Sequence, residues 1–219
     1  AAILLLDTAQ ERPDILTKAL LDADVNRFPL FFEAVKGRIN MNNLLAILHQ
    51  DPDDFPDNPA RWEQESKRIA NAAIALVMLE RQQSVWSILN PKYGKDLRVR
   101  SYFISRIGRV PGSNPKVLVD HLAEAGRTFT PPPMILRAVI QALGGYPADK
   151  FSAKDRERVR NIVRDYYEND KDPGMHASAE WLLRTWGEAP SLAWEDSSFQ
   201  QLQTQKRNNI EAYFRAAAL

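Results

Sequence analysis

The residues in this sequence best able to bind a metal or to transfer protons are its three histidines, His49, His121 and His176. They lie far apart along the chain. None belongs to a His-x-x-x-His or His-Glu-x-x-His pair, the spacings that place two ligands on one helical face. The sequence also contains no Cys, which excludes disulfides, Cys-ligated zinc, iron–sulfur clusters and thiol nucleophiles. We therefore expect neither a metal site nor a catalytic residue in this chain.

Sites for phosphate or calcium have equally little support. The pair Gly144-Gly145 is not followed by Lys-Ser or Lys-Thr, as a phosphate-binding loop requires, so we interpret it as the end of a helix. Residues 51–57 contain four Asp but lack the Gly and the final Glu of an EF-hand loop, so they are predicted to form a solvated loop. No cofactor is predicted.

A concentration of positive charge in the middle of the chain is the strongest candidate for a binding surface. Residues 91–165 carry 15 basic and 7 acidic side chains, a net charge of +8, whereas the whole chain has a net charge of +1. Such a stripe could neutralise nucleic-acid phosphates. Arginines of helical repeats also pair within the fold, and Asp96, Asp155 and Glu157 are interleaved here, so a structural or protein-facing role is favoured. The candidates are Arg98, Arg100, Arg106, Arg137, Arg158 and Arg160, with Arg109, Arg156 and Arg164 close by.

The tryptophans offer a second kind of binding residue. Trp181 is predicted to pack in the core, with Trp186 at the end of the same helix. If Trp186 or Trp194 is exposed, it is the candidate docking aromatic, because tryptophans often anchor protein interfaces.

Apolar residues recur at helical spacing along almost the whole chain, and period-2 alternation is hard to find. Asn58 is expected to cap a long helix over 60–79 whose second half is buried. Gly108, Gly144 and Gly187 follow apolar runs and are predicted as left-handed helix ends. Shorter helices are predicted at 82–89, 96–107, 115–125, 132–143, 153–168 and 173–186, with a more polar one at 199–218.

Internal similarity indicates how these helices are arranged. Residues 100–108, 136–144 and 178–187 align with one another, and 72–79 is a weaker copy. The ends of their apolar runs are 28, 36 and 43 residues apart, near the ~40-residue period of HEAT and armadillo repeats. We therefore predict an all-α, HEAT/armadillo-like α-solenoid of stacked helical hairpins. Its predicted parts are N-terminal hairpins (1–50), a Pro/Asp-rich loop (51–59), HEAT-like repeats (60–190), and a linker with a terminal helix (191–219).

One stretch resembles a known family. Residues 172–187 (DPGMHASAEWLLRTWG) are similar to a motif in planctomycete-type multidomain bacterial proteins, and 21–24, 70–76 and 97–102 resemble other stretches in the same order. In that family a HEAT-like region lies beside a formylglycine-generating-enzyme-like (sulfatase-modifying) domain, often with a serine/threonine kinase domain upstream. The resemblance covers the helical region alone, so it implies no catalytic residue.

These patterns predict a non-catalytic helical scaffold or protein-interaction module, a spacer or regulatory region within a larger bacterial protein. Its expected partner is another protein or a flanking domain of its own chain. The alternative is a nucleic-acid-binding helical repeat, DNA-glycosylase-like, and a weaker third is the regulatory segment of a kinase-containing protein. No apolar run approaches the ~20 residues that cross a bilayer, so we expect no membrane contact and a cytoplasmic location. The oligomeric state stays open.

Overall fold

The structure, a computed structural model, describes residues 5–7, 9, 11–50, 58–90, 97–125, 130–187 and 204. Nine α-helices have both ends within these ranges, residues 5–7 and Thr204 are also helical, and no described residue belongs to a β-strand, so the prediction of an all-α fold is confirmed. None of these helices is both long and apolar enough to cross a lipid bilayer. In chain order they are α1 (Pro13–Leu21), α2 (Phe28–Val35), α3 (Met41–Leu48), α4 (Pro59–Met78), α5 (Arg98–Ile107), α6 (Lys116–Glu124), α7 (Pro133–Leu143), α8 (Ala153–Asn169) and α9 (Pro173–Thr185).

Helix α4 forms the centre of the N-terminal half. It begins as predicted, because the side chain of Asn58 accepts a hydrogen bond from the Arg61 amide at 2.9 Å and Pro59 occupies the first turn. Residues 69–77 are buried without a break, as their apolar composition predicts. Helices α1 and α3 both pack on α4, and α2 packs on α1.

A buried amide joins α4 to its neighbours. The Asn71 side chain donates to the carbonyls of Leu21 and Ala23, each at 2.8 Å, at the C-terminal end of α1. Its oxygen accepts a 2.9 Å hydrogen bond from the Arg106 guanidinium on α5. One side chain therefore satisfies carbonyls that helix α1 leaves unpaired and fixes the position of α5.

From α4 onward the helices form two rows. In the first row, α4 packs against α5, α5 against α7, and α7 against α9. In the second row α6 packs against α8, and the pairs α6–α7 and α8–α9 join the rows. The first row therefore places α5, α7 and α9 side by side.

One predicted helix is wrong. Residues 82–89 form two short 3₁₀ helices, Gln82–Ser84 and Trp86–Leu89, in place of an α-helix. The hydroxyl of Ser87 donates to the Ser84 carbonyl, a local bond that competes with α-helical pairing. Pro91 also disfavours helical backbone at the residue before it. The other helices begin and end within two residues of the predicted ranges. Of the predicted loop over 51–59, residues 51–57 lie outside the described residues, and Asn58 and Pro59 begin α4. The predicted helix over 199–218 also lies outside them, apart from Thr204.

Two of the three predicted left-handed glycines are also wrong. Gly187 has φ +83° and ends α9 as expected, but Gly108 and Gly144 have φ −71° and −68°, ordinary right-handed values. They are needed for close packing instead. A β-carbon on Gly108 would meet the backbone of Gly145, and one on Gly144 would meet the Trp181 ring. The left-handed residue that ends α4 is Glu80, with φ +58°.

Candidate binding groove

A groove of about 500 Å³ crosses the exposed side of α7 and is bounded by α5 and α9. Its position follows from the first row of helices, which brings the start of α5, the start and middle of α7 and the first half of α9 together. Among the described residues that line it, arginines are the charged ones. The lining residues are Leu97, Arg100, Met134, Arg137, Gln141, Gly174, Ala177, Ser178 and Trp181.

The two arginines, Arg100 and Arg137, lie on neighbouring helices. Arg100 is half-buried, and its guanidinium donates one long hydrogen bond to Gln141 Oε1 at 3.4 Å. Burial lowers the pKa of Arg100, and the nearby charge of Arg137 lowers it further. Arg137 Nη1 is 3.7 Å from the Asp172 carboxylate, and a β-carbon on Gly174 would lie 2.0 Å from the same nitrogen. The groove therefore holds two guanidinium groups that repel each other.

Trp181 supplies the largest apolar surface of the groove, and here the prediction of a core position is wrong. Its side chain is 45% exposed, although its ring packs so tightly on Gly144 that a β-carbon there would lie 2.3 Å from it. The buried face of α9 is formed by Met175, Ser178, Ala179, Leu182 and Leu183. Position 181 lies off this stripe, so helical periodicity could have revealed its exposure.

Trp186, one of the two tryptophans predicted to be docking residues if exposed, packs at the end of α9. Trp186 is partly buried against the core, with its ring centroid 5.0 Å from that of Phe151. The Arg156 guanidinium stacks over its ring at 5.5 Å and donates to its carbonyl at 3.1 Å. Trp194 lies outside the described residues.

Two further candidate arginines face away from the groove, toward α4. Arg98 Nη1 is 3.8 Å from Glu63 Oε2, and the Arg106 guanidinium is held by Asn71. They flank Tyr102, whose hydroxyl donates to Glu63. That bond and the one from Lys67 lower the pKa of Glu63. On α5, positions 98, 102 and 106 therefore form one helical face, and Arg100 lies on another.

The last two candidates are on the second row of helices. Arg158 on α8 is 3.6 Å from the Asp120 carboxylate of α6, and Arg160 is partly buried on the same helix. Neither lines the groove. Of the six predicted arginines, Arg100 and Arg137 are the two that line the groove. Leu97, which is 49% exposed and precedes α5, was not among the predicted site residues.

A second cavity, of about 480 Å³, lies between the 3₁₀ segments and α6. The His121 and Trp86 rings stack there with centroids 3.8 Å apart, and burial lowers the pKa of His121 to about 4. The charged residues that line this cavity are Glu80, Lys116, Asp120 and Glu124. Within the described ranges, no three His, Asp or Glu side chains are grouped in a way that could hold a metal ion.

Comparison with known proteins adds no assignment. The chain matches no protein-family model, no curated protein and no solved structure. Its candidate site must therefore be interpreted from its own geometry.

Proposed function

We propose that this chain is a non-catalytic helical-repeat module of the HEAT-like solenoid type, which binds a protein partner across α5, α7 and α9. The observation that carries the proposal is the pair Leu97 and Trp181, two large apolar side chains that are about half exposed in one groove. Protein interfaces are enriched in tryptophan and arginine at their most energetic positions, and this groove contains both.

The helix packing supports the solenoid part of the proposal. Each helix of the first row contacts the next one, and the second row repeats this relation through α6 and α8. Two adjacent helical hairpins, α6–α7 and α8–α9, are thus stacked in the same order, as in repeat proteins whose units contact only their neighbours. Such arrays offer an extended surface for a partner. The resemblance of residues 172–187 to a helical region of multidomain bacterial proteins favours a place beside other domains.

Site-specific photo-crosslinking in the native host tests the proposal. The crosslinking residue p-benzoylphenylalanine is placed at position 97 or 181, with position 30 as the matched control. Leu30 has a comparable exposure of 48% but belongs to α2, outside the groove. We expect the same covalent adduct from positions 97 and 181, identified by mass spectrometry, and none from position 30. Equal labelling at all three positions, or labelling at none, contradicts the proposal.

The nucleic-acid alternative makes a different prediction. It requires the full-length chain to bind a DNA duplex in low salt, and this binding to weaken steeply as salt rises. It also requires a loss of binding when Arg98, Arg100 and Arg137 are replaced by Glu. Because Arg98, Arg106 and Arg158 have partners within the fold and lie outside the groove, they do not extend Arg100 and Arg137 into a longer basic stripe, and we expect no duplex binding. A mobility shift that the triple variant abolishes would favour the alternative.

A further inference from the structure

We propose that the groove over α7 recognises a peptide segment in which a carboxylate side chain lies beside a large apolar side chain. This inference rests on the proposed function and specifies the chemistry of the partner. The occupant is an acidic segment of another protein. The charge of the groove, the hydrogen-bonding capacity of its arginines and its exposed apolar surface all favour such a segment.

The charge of the groove is positive. Among the described residues, the nine that line it include Arg100 and Arg137 and no acidic residue. The Asp172 carboxylate lies 3.7 Å from Arg137 Nη1 but outside this lining, and Arg100 has no such neighbour among the described residues. Neighbouring guanidinium groups in a partly desolvated site raise each other's electrostatic energy, and an anion placed between them lowers it. An acidic occupant is therefore complementary to this groove, and a basic one is disfavoured.

The guanidinium groups of Arg100 and Arg137 do not use their full hydrogen-bonding capacity within the fold. Among the described residues, Arg100 has no carboxylate within ion-pair distance, and its single hydrogen bond, to Gln141, is long. The Nε atoms of Arg100 and Arg137 are both buried and have no hydrogen-bond partner. These Nε atoms are closed off from solvent, but a guanidinium carries five N–H donors, so the donors that remain for a ligand are those of the terminal Nη atoms. Carboxylates accept such donors in pairs, which fixes their orientation.

Apolar surface lies on both sides of the two arginines. Leu97 lies on the α5 side and Trp181 on the α9 side, and Met134 and Ala177 also line the groove. Trp181 is held against Gly144, so it loses little conformational freedom when a ligand packs on it. A large apolar side chain next to the carboxylate would cover this surface, which explains why the two features are required together.

The experiment is a selection from a phage-displayed library of random dodecapeptides on the immobilised full-length chain. Selected sequences are then synthesised with a fluorescein label, and their binding is measured by fluorescence anisotropy. We expect the selected peptides to carry Asp or Glu within two residues of Leu, Phe, Trp or Met. Replacing that Glu by Gln, or that Asp by Asn, should weaken binding at least about tenfold, which corresponds to about 1.4 kcal/mol.

Protein variants locate the binding to the groove. Arg100→Gln, Arg137→Gln and Trp181→Ser should each weaken binding at least about tenfold. The matched controls are Arg158→Gln and Leu30→Ser, which remove a cation and an exposed apolar side chain outside the groove. Both should bind within about twofold of the unchanged protein. Gly174→Ala adds a test that removes no charge, since its β-carbon would displace the flexible end of Arg137. It should weaken binding without lowering the thermal unfolding midpoint, because Ala favours helical backbone more than Gly does.

The outcomes separate this inference from the proposed function. Selected peptides that are neutral or basic, but whose binding is lost in Trp181→Ser, overturn the acidic specificity and leave the groove as a protein-binding site. Selected peptides that bind the groove variants and the controls equally overturn the inference, and the crosslinking experiment then decides the proposed function. Concentration-dependent self-association in sedimentation velocity that Trp181→Ser abolishes would identify a second copy as the occupant and would also overturn it.

Discussion

The backbones of Gly108 and Gly145 are in direct contact, such that a β-carbon on Gly108 would lie 2.3 Å from the carbonyl carbon of Gly145. Gly108 is the first residue after α5, and Gly145 is the second residue after α7. Because neither residue has a side chain, the ends of the two helices can approach each other closely. This contact joins α5 and α7 at their C-terminal ends.

Gly108→Ala is expected to destabilise the protein by about 1–3 kcal/mol, the usual cost of inserting a methyl group into a filled space. The atoms that the methyl group would meet belong to the backbone, so no side chain can move aside. Urea unfolding followed by circular dichroism measures the effect. Gly37→Ala is the matched control because nothing lies within 4 Å of its added β-carbon. Equal stability of the two variants would contradict the close contact.

Substitutions at Glu80 and Gly187 are expected to change the stability of the protein in opposite directions. Both residues have positive φ at a helix end, 58° for Glu80 and 83° for Gly187. The Arg81 amide donates a 2.8 Å hydrogen bond to the Leu76 carbonyl. This bond is the one that closes a Schellman motif, in which the residue before the donor, here Glu80, adopts the left-handed conformation. Glu80→Gly should raise the free energy of unfolding by about 0.5–1 kcal/mol, and Gly187→Ala should lower it by a similar amount.

Thermal denaturation of both variants checks this pair. Opposite shifts in the unfolding midpoint are expected because glycine relieves strain at position 80 and alanine creates it at position 187. A destabilised Glu80→Gly variant would show that the Glu80 side chain contributes more than the backbone strain costs.

Asn71→Ala should be among the most destabilising single changes at a polar position of the chain. It leaves the carbonyls of Leu21 and Ala23 without their 2.8 Å donor and the Arg106 guanidinium without its 2.9 Å acceptor. Each buried polar group left unpaired costs roughly 1–3 kcal/mol, so a loss of at least about 2 kcal/mol is expected. Asn161→Ala, at an exposed position of α8, serves as the control and should change stability little. Hydrogen exchange should also show faster opening at the C-terminal end of α1, where the Leu21 carbonyl lies, with Ala23 two residues beyond.

The lowered pKa of His121 should make the free energy of unfolding depend on pH. Its folded-state pKa of about 4 lies below the ordinary value of 6.5, because burial beside Trp86 disfavours the charged ring. The unfolded chain therefore binds this proton more readily than the folded protein does. The contribution of neutral His121 is complete above pH 6.5 and decreases as the pH falls toward 4.

His121→Phe removes that titration and keeps a ring against Trp86. The decrease in urea midpoint between pH 7 and pH 4.5 should therefore be smaller for this variant than for the unchanged protein. The comparison isolates His121 because Asp120, Glu124, Glu80 and Lys116, which line the same cavity, are present in both proteins. Identical decreases would show that His121 does not contribute.

Helical periodicity, caps and helix breakers are local properties, and for that reason the sequence alone determined most of the helices. Asn58 and Pro59 define the start of α4, and the apolar run at 69–77 predicts its burial, because side chain and backbone interact within one or two turns. By the same local periodicity, position 181 lies off the buried stripe of α9. Residues 82–89 depart from their helical pattern because a serine hydrogen bond competes with the α-helix.

Only the tertiary structure decided which residues meet. Arg100 and Arg137 are 37 positions apart and share a groove because α5 packs on α7, whereas Arg98 and Arg106, two and six residues from Arg100, face α4 instead. Gly108 and Gly144 are required by neighbouring helices and not by their own backbone angles. Sequence spacing fixes the face of a helix that a side chain occupies, but the neighbour that covers this face depends on how the helices pack, and that packing decided the site.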